Sequence, residues 1–335
     1  MKNPVTPVNG VVSVFSQERR SRSKAFGVAS FYSSGHARKA LPDAIPFMAT
    51  TFERYAARED FGQLRRIHAS GDHEEVMRTV ESASLGGCGG AYFPVVQKWK
   101  AVLDNKGPRY LVVNAQEGEK YTFKDYCLML TYPQLVVEGA ALAALAIEAK
   151  EVFIVVNAAY EHCVVKLQQA VDALQLQMPF LRLKITVATG PDPDLYVCGE
   201  ETALMQYMNH QRGEPQLRPP FPFQQGFRGK PTLVQNVETL CWIPALLEKP
   251  DLFARKGKLK LVHVWGDVNS PGIYEAAIGS RLDELLDLAE GMKKNVKLNA
   301  IEVGGMAGGL LPAHLLKTPY DHGAIRAAGA MLGTG

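Results

Sequence analysis

The feature that most restricts how this chain can fold is the alternation of short apolar runs with helical patterns between residues 110 and 208. Tyr110 to Val113 is an apolar run that reads as a buried strand and ends at Asn114. Pro133 can occupy the first turn of an Ala-rich helix running to Lys150. Val152 to Val156 reads as a second strand, and Tyr160 to Leu174 carries Val164, Leu167, Val171 and Leu174 at helical spacing. Leu183 to Ala188 is a third strand, and Thr202 to Met208 opens another helix after Gly199. Strands alternating with helices predict an α/β fold with a parallel sheet, whose ligands sit at the carboxyl ends of its strands.

The flanks read differently. Residues 1 to about 45 carry Arg19, Arg20, Arg22, Lys24, Arg38 and Lys39 among many serines and few acids. That composition suits a basic arm. It overlaps with organellar transit peptides, but no amphipathic helix is visible in it. Asp72 with Glu75 resembles a capping box that starts a helix through Val76, Val80 and Ala83. Composition shifts at Pro215 to Pro231, rich in Pro, Gly, Phe and Gln. Beyond it, Lys258 to Trp265 alternates like a strand, Asn269 to Gly272 marks a turn, and Ile273-Tyr274-Glu275 is extended. Arg281 to Ala289 is amphipathic and Ile301 to Val303 is a further strand, which makes a small α+β unit. The expected organisation is an arm over 1–60, an α/β domain over 61–245 and the α+β domain over 246–335.

Composition narrows the function. A net charge of +3 over 335 residues is too mild for a nucleic-acid binder. Direct membrane insertion is not expected, because no run of about 18 apolar residues occurs. The greasiest stretch, Leu135 to Ala149, is interrupted by Glu138 and Gly139 and reads as a buried helix. Cys88, Cys127, Cys163, Cys198 and Cys241 are scattered singly, without the CxxC spacing of zinc or iron–sulfur sites. An odd, dispersed set gives no disulfide framework either, so a reducing, cytoplasmic setting is the default.

Four segments could carry chemistry. Gly86-Gly-Cys-Gly-Gly90-Ala-Tyr-Phe93-Pro, followed by Lys98, can bring backbone N–H groups close to a phosphate or flat ring; it also suits a plain loop between helices. Asn114-Ala-Gln-Glu117-Gly-Glu119, with Phe123-Lys-Asp125 behind it, starts where a buried strand ends, although a solvated loop has the same composition. Tyr196-Val-Cys-Gly199-Glu200-Glu201-Thr202 places carboxylates in a first helical turn, where the helix dipole alone would favour them. Arg218-Pro-Pro-Phe221-Pro leads through Gly229-Lys-Pro-Thr to Asn236-Val-Glu238-Thr. Its prolines could hold Phe221 against a planar ring or simply stiffen a surface connection.

In this order the four segments resemble the nucleotide-binding flavoprotein of respiratory complex I and its relatives in NAD-linked hydrogenases and formate dehydrogenases. That family carries a Gly-rich loop ending in Phe-Pro with a Lys beyond, then Asn-Ala-Asp-Glu-x-Glu leading to Phe-Lys-Asp. It then has Tyr-x-Cys-Gly-Glu-Glu-Thr-Ala-Leu, and Pro-Pro-Phe-Pro running to Asn-Asn-Val-Glu-Thr. The resemblance spans about residues 75 to 335. It implies a Rossmann-like flavin and NADH domain followed by a small ubiquitin-like β-grasp domain of the SLBB type. FMN would be held by Gly87, Gly89, Gly90, Lys98, Asn114, Glu117, Gly199 and Asn236. Glu119, Glu201, Phe93 and Phe221, with Glu200 beside them, would surround the NADH, the rings flanking its adenine. No side chain need act as acid or base.

The resemblance implies an NADH dehydrogenase module that passes electrons to iron–sulfur partners: a thioredoxin-like ferredoxin subunit and a larger cluster-bearing subunit. Such a module lies in the peripheral arm of a membrane complex, in the cytoplasm or, in a eukaryote, the mitochondrial matrix. The alternative is a degenerate homologue with a structural or regulatory role. This sequence departs from the pattern at Gly86 and Cys88 (Arg in the family), Tyr92 (Gly), Val95-Val96 (Thr-Gly), Gln116 (Asp), Lys120-Tyr121 (Pro-Gly) and Gln235 (Asn). Tyr92 puts a bulky ring where a ligand or close backbone approach is expected. The family's cluster-bearing helical domain, with its CxxCxxC motif, lies beyond the Gly333-Thr-Gly335 match. No iron–sulfur cluster is therefore expected in this chain, whether it is a fragment or a natural form without that domain.

Overall fold

The expected alternation becomes a four-stranded parallel sheet. The computed structural model describes residues 12–16, 46–56, 60–119, 122–191 and 196–333. Among them, strands β1 (Val12–Ser16) and β2 (Phe47–Met48) precede that sheet in the chain. The sheet consists of β3 (Tyr110–Ala115), β4 (Glu151–Val156), β5 (Lys184–Thr189) and β6 (Thr232–Asn236), in the spatial order β5-β4-β3-β6. Every pairing in it is parallel. The chain leaves β3 toward β4 and β5 on one side and returns as β6 on the other. The order therefore reverses between β3 and β6, and open α/β sheets bind ligands at such a reversal. β6 is a strand that the sequence pattern does not reveal; its residues follow directly on the Pro- and Gly-rich stretch that ends at Pro231.

The two interruptions in the Ala-rich helix have specific causes. The helix spans Pro133–Ala146 and is almost entirely buried. A Cβ built on Gly139 would lie 2.1 Å from the carbonyl oxygen of Leu240, so the helix Val237–Glu248 packs backbone-close at that point. Glu138 Oε1 accepts hydrogen bonds from the backbone N–H groups of Gln63 (2.8 Å) and Leu64 (3.0 Å). It thereby satisfies the first turn of the helix Gly62–Ser70, whose amides have no partner within that helix. The capping box expected at Asp72 is half present: Asp72 accepts from the Glu75 amide at 3.1 Å and opens the helix Glu74–Ser82.

This unit comprises Thr50–Gly118 and Phe123–Lys258. Its boundary lies beyond the expected residue 245, because the helices Val237–Glu248 and Leu252–Lys256 remain packed in it, with Trp242 against Phe253 at 5.4 Å between ring centroids. The second unit takes the described residues up to Ala49 and from Leu259 onward, with the short piece containing Glu119 and Thr122. It adds β7 (Leu259–Gly266), β8 (Gly272–Ala277), β9 (Leu298–Val303) and β10 (Gly309–Pro312). The mixed sheet has the order β10-β9-β1-β7-β8-β2. Val262, Val264, Leu282, Leu285, Ile301 and Tyr320 form its core. Strand β1, inside the expected arm, pairs parallel with β7 and antiparallel with β9. Val12-Ser-Val-Phe15 is a β-prone run set within Ser- and Arg-rich surroundings. Residues 46–56 of that arm are also structured, carrying β2 and the helix Thr50–Ala56; its other residues apart from Asp60, and Lys120-Tyr121, lie outside the described residues. No single helix among the described residues is long and apolar enough to cross a membrane.

Two outcomes follow from the Ala-rich helix. Gly139→Ala should destabilise the protein by about 3 kcal/mol in urea unfolding, because a methyl group must displace backbone. Burial pushes the Glu138 carboxyl up to about 7, against the two amide bonds that favour its charge. Folded protein then holds this proton between about pH 4.5 and 7 while unfolded chain loses it, so its contribution to stability declines as pH rises through that window. Glu138→Gln keeps the acceptor oxygen and removes the proton. The gap in urea midpoint between variant and wild type should therefore shift in the variant's favour from pH 4.5 to 7. A gap that does not change with pH would contradict the assignment.

Candidate functional site

The register places Asn114 of β3 directly opposite Asn236 of β6, at the carboxyl end of the sheet where the strand order reverses. The neighbours of these two asparagines draw most of the sequence-predicted residues together. Asn114 Nδ2 donates to the Gly199 carbonyl at 2.9 Å, while its Oδ1 accepts from the Gln116 amide at 3.1 Å. A Cβ on Gly199 would meet the Gln116 carbonyl oxygen at 3.0 Å, and one on Gly89 would meet Asn236 Cβ at 3.0 Å. Lys98, on the helix Val95–Leu103 that follows the glycine-rich turn, pairs with Glu201 at 2.5 Å. Glu201 begins the helix Glu201–Met208, directly after Gly199-Glu200. The path Gly89–Asn236–Asn114–Gly199–Glu201–Lys98 thus forms a ring of contacts that returns to the turn where it began.

The glycine-rich turn is shaped by its own backbone. Gly86 bridges to Pro94, the Gly87 amide donates to the Phe93 carbonyl at 2.9 Å, and the Cys88 amide donates to Thr239 Oγ1 at 2.8 Å. The next three amides, of Gly89, Gly90 and Ala91, donate to no acceptor among the described residues. Successive unengaged N–H groups of this kind form a concave anion site.

Beneath the ring lies a buried ionic cluster that the sequence motifs do not announce. Lys124 is 2% exposed and contacts Asp125 at 2.8 Å, Glu238 at 3.1 Å and Asn236 Oδ1 at 3.3 Å. Burial opposes its charge, but Asp125, Glu238 and Glu117 outweigh that and hold the ammonium well above its ordinary range. Asn236 caps the helix Val237–Glu248 by accepting from the Glu238 amide at 3.0 Å, and it donates to Asp125 at 2.6 Å. The Glu117 carboxylate accepts from the Asp125 (3.0 Å) and Tyr126 (3.1 Å) amides and from the Tyr160 hydroxyl (3.1 Å). It is therefore a cap for the helix Lys124–Thr131. Nothing in the sequence marked Tyr160 for this role.

Glu200 is the N-cap of the helix that follows, accepting from the Thr202 (2.9 Å) and Ala203 (3.0 Å) amides, and it is ion-paired with Arg218. Arg218 also approaches Glu201 at 3.5 Å, and its guanidinium lies 5.8 Å from the Phe221 ring centroid. Phe221 stacks on Phe223, with centroids 5.0 Å apart and planes within 7°. Phe93 is 55% exposed, which is unusual for a large apolar ring. The Gln116 side-chain amide, 5% exposed beside Gly190, has neither its oxygen nor its nitrogen hydrogen-bonded among the described residues. Glu119 is buried but belongs to the second unit. Among the described residues no cluster of His, Cys, Asp or Glu could hold a metal ion.

Comparison with known proteins agrees with this geometry. The family described as "Nuo51 FMN-binding domain" matches residues 80–245. The chain is 36% identical to an NADH-quinone oxidoreductase subunit of Streptomyces coelicolor over 299 residues, covering 85% of this chain and 66% of that protein. It is 32% identical to the corresponding NADH-quinone oxidoreductase subunit of Rhizobium meliloti, covering 84% of this chain and 70% of that one. Among solved structures, the NAD+-reducing [NiFe]-hydrogenase in the H2-reduced state superposes with a TM-score of 0.78 at 29% identity, over 95% of this chain and 56% of that one. The chain thus spans about two thirds of the length of these NADH-quinone oxidoreductase relatives. A family-model match that contains the switch point, and likeness to these relatives over most of the chain, lead to one conclusion: the chain belongs to the family of NADH-quinone oxidoreductase F subunits, with the Nuo51 FMN-binding domain over residues 80–245.

Proposed function

We propose that this chain is an FMN-dependent NADH dehydrogenase module that delivers electrons to iron–sulfur clusters on partner subunits. The observation that carries the reading is the run of unengaged amides at Gly89, Gly90 and Ala91, set against Asn236 at the sheet's switch point. Such a nest suits the phosphate of a flavin mononucleotide, and the Lys98 ammonium adds a cation beside it. When bound, the flavin supplies the chemistry of hydride acceptance followed by electron release.

The residues of this chain would bind and orient. Asn114 holds the Gly199 segment over the sheet end, and Glu117 and Asn236 fix the helices beneath it. Glu201 offers a carboxylate to ribose hydroxyls, its charge balanced by Lys98 and Arg218. The Phe93 and Phe221 rings offer flat apolar faces to a base. NADH as donor is supported by relatives whose names specify NADH or NAD+. The NADH-quinone oxidoreductase relatives are named as subunits of a larger enzyme, which supports partner subunits as the electron acceptors.

Purified protein titrated with FMN should quench flavin fluorescence, and anaerobic NADH should then bleach the visible flavin absorption. Lys98→Met should weaken FMN binding by about tenfold and flatten its salt dependence, since one cation near the phosphate is lost. A wild-type protein that leaves flavin fluorescence unchanged would reject the reading.

A further inference from the structure

Tyr92 lies at the exit of the glycine-rich turn with φ of 51°, in the left-handed region. A bulky residue holds that conformation only where its surroundings impose it. The imposing contact lies across the turn. A Cβ built on Gly86 would lie 2.5 Å from two ring carbons of Tyr92, so the ring fills the space that any side chain at position 86 would need. The backbone around this contact is closed by the Gly86–Pro94 bridge and the Gly87–Phe93 hydrogen bond. The ring is thus a wedge inside a small closed loop, and the outer span of that loop carries the unengaged amides.

Three of the departures of this sequence from its family pattern, at positions 86, 92 and 96, meet at this wedge. Gly86, Tyr92 and Val96 line one cavity of about 370 Å³ together with Leu85, Pro94 and Gln97. Gly87, Gly89, Gly90, Lys98, Asn114 and Gly199 are not in that lining. Side-chain volume missing at position 86 is present at position 92, in a cavity that the ring of site contacts does not share.

We propose that Tyr92 is a positioning residue: its ring, packed on Gly86, holds the Cys88–Ala91 turn in the conformation that presents its amides, and it does not obstruct the ligand. The proposal rests on reading that turn as the flavin cradle. It predicts an exchange of volume. Gly86 lies outside the left-handed region, so a side chain there becomes tolerable once the ring is removed.

The test compares wild type with Tyr92→Phe, Tyr92→Gly and the double variant Tyr92→Gly/Gly86→Met. Two readouts are used: FMN affinity by fluorescence, and hydrogen exchange of the hydrogen-bonded Gly87 and Cys88 amides against those of β4. Tyr92→Phe should bind FMN within about threefold of wild type. Tyr92→Gly should weaken binding about tenfold and speed exchange at Gly87 and Cys88 while leaving β4 unchanged; the double variant should recover most of both. Unchanged or tighter FMN binding by Tyr92→Gly, with faster flavin reduction by NADH, would overturn the proposal and make the ring an obstruction. Failure of wild type to bind FMN would reject the cradle reading instead, and the exchange of the Gly87 and Cys88 amides would still decide whether the ring holds the turn.

Discussion

Lys124 is a charged side chain with almost no access to water, and its surroundings exist to keep it charged. Taking an ammonium out of water costs several kcal/mol, offset only when partners are close and well aligned. Asp125 and Glu238 supply that alignment, and each is held by backbone or side-chain donors of its own. The cluster joins the start of the helix Lys124–Thr131, the start of the helix Val237–Glu248 and the end of β6 at one point. Displacing any of them would leave a buried charge unpaired. The half-buried ring of site contacts is built on that fixed point, because Gly89 lies against Asn236 and Asn236 is bonded into the cluster.

The parallel sheet was legible because β3 and β4 are nearly continuous apolar runs, the pattern of strands buried on both faces, while β5 alternates apolar with polar residues, and helical spacing separates them. β6 was not, since Thr232–Asn236 is short, partly polar and preceded by Pro and Gly. Yet β6 creates the switch point, so the place of the site depended on the strand hardest to see. β1 was hidden for a related reason: five residues of strand carry little weight inside a basic, Ser-rich composition. Their pairing with β7 and β9 is long-range and leaves no local signature.

For the site, it was the family resemblance that put Gly89, Lys98, Asn114, Gly199 and Asn236 in one group; contacts link these positions in the structure. The division of labour among the carboxylates was beyond it. Glu117 and Glu200 both accept from helix amides, whereas Glu201 faces Lys98. All three look alike in a motif, and only the direction of the side chain separates a cap from a ligand-facing group. Tyr92 shows the same limit. A large residue at a glycine position suggests blockage, and no motif discloses that its ring packs against Gly86.

The account stands on the claim that the amides of the glycine-rich turn, poised over the buried Lys124 cluster, hold a flavin phosphate. A crystal structure of the protein grown with FMN tests it directly. The account predicts flavin density against Gly89, Gly90 and Ala91 at the carboxyl ends of β3 and β6, with the Lys124–Asp125–Glu238 contacts unchanged. Flavin bound elsewhere on the protein, or bound with the turn pulled away from Asn236, would contradict it.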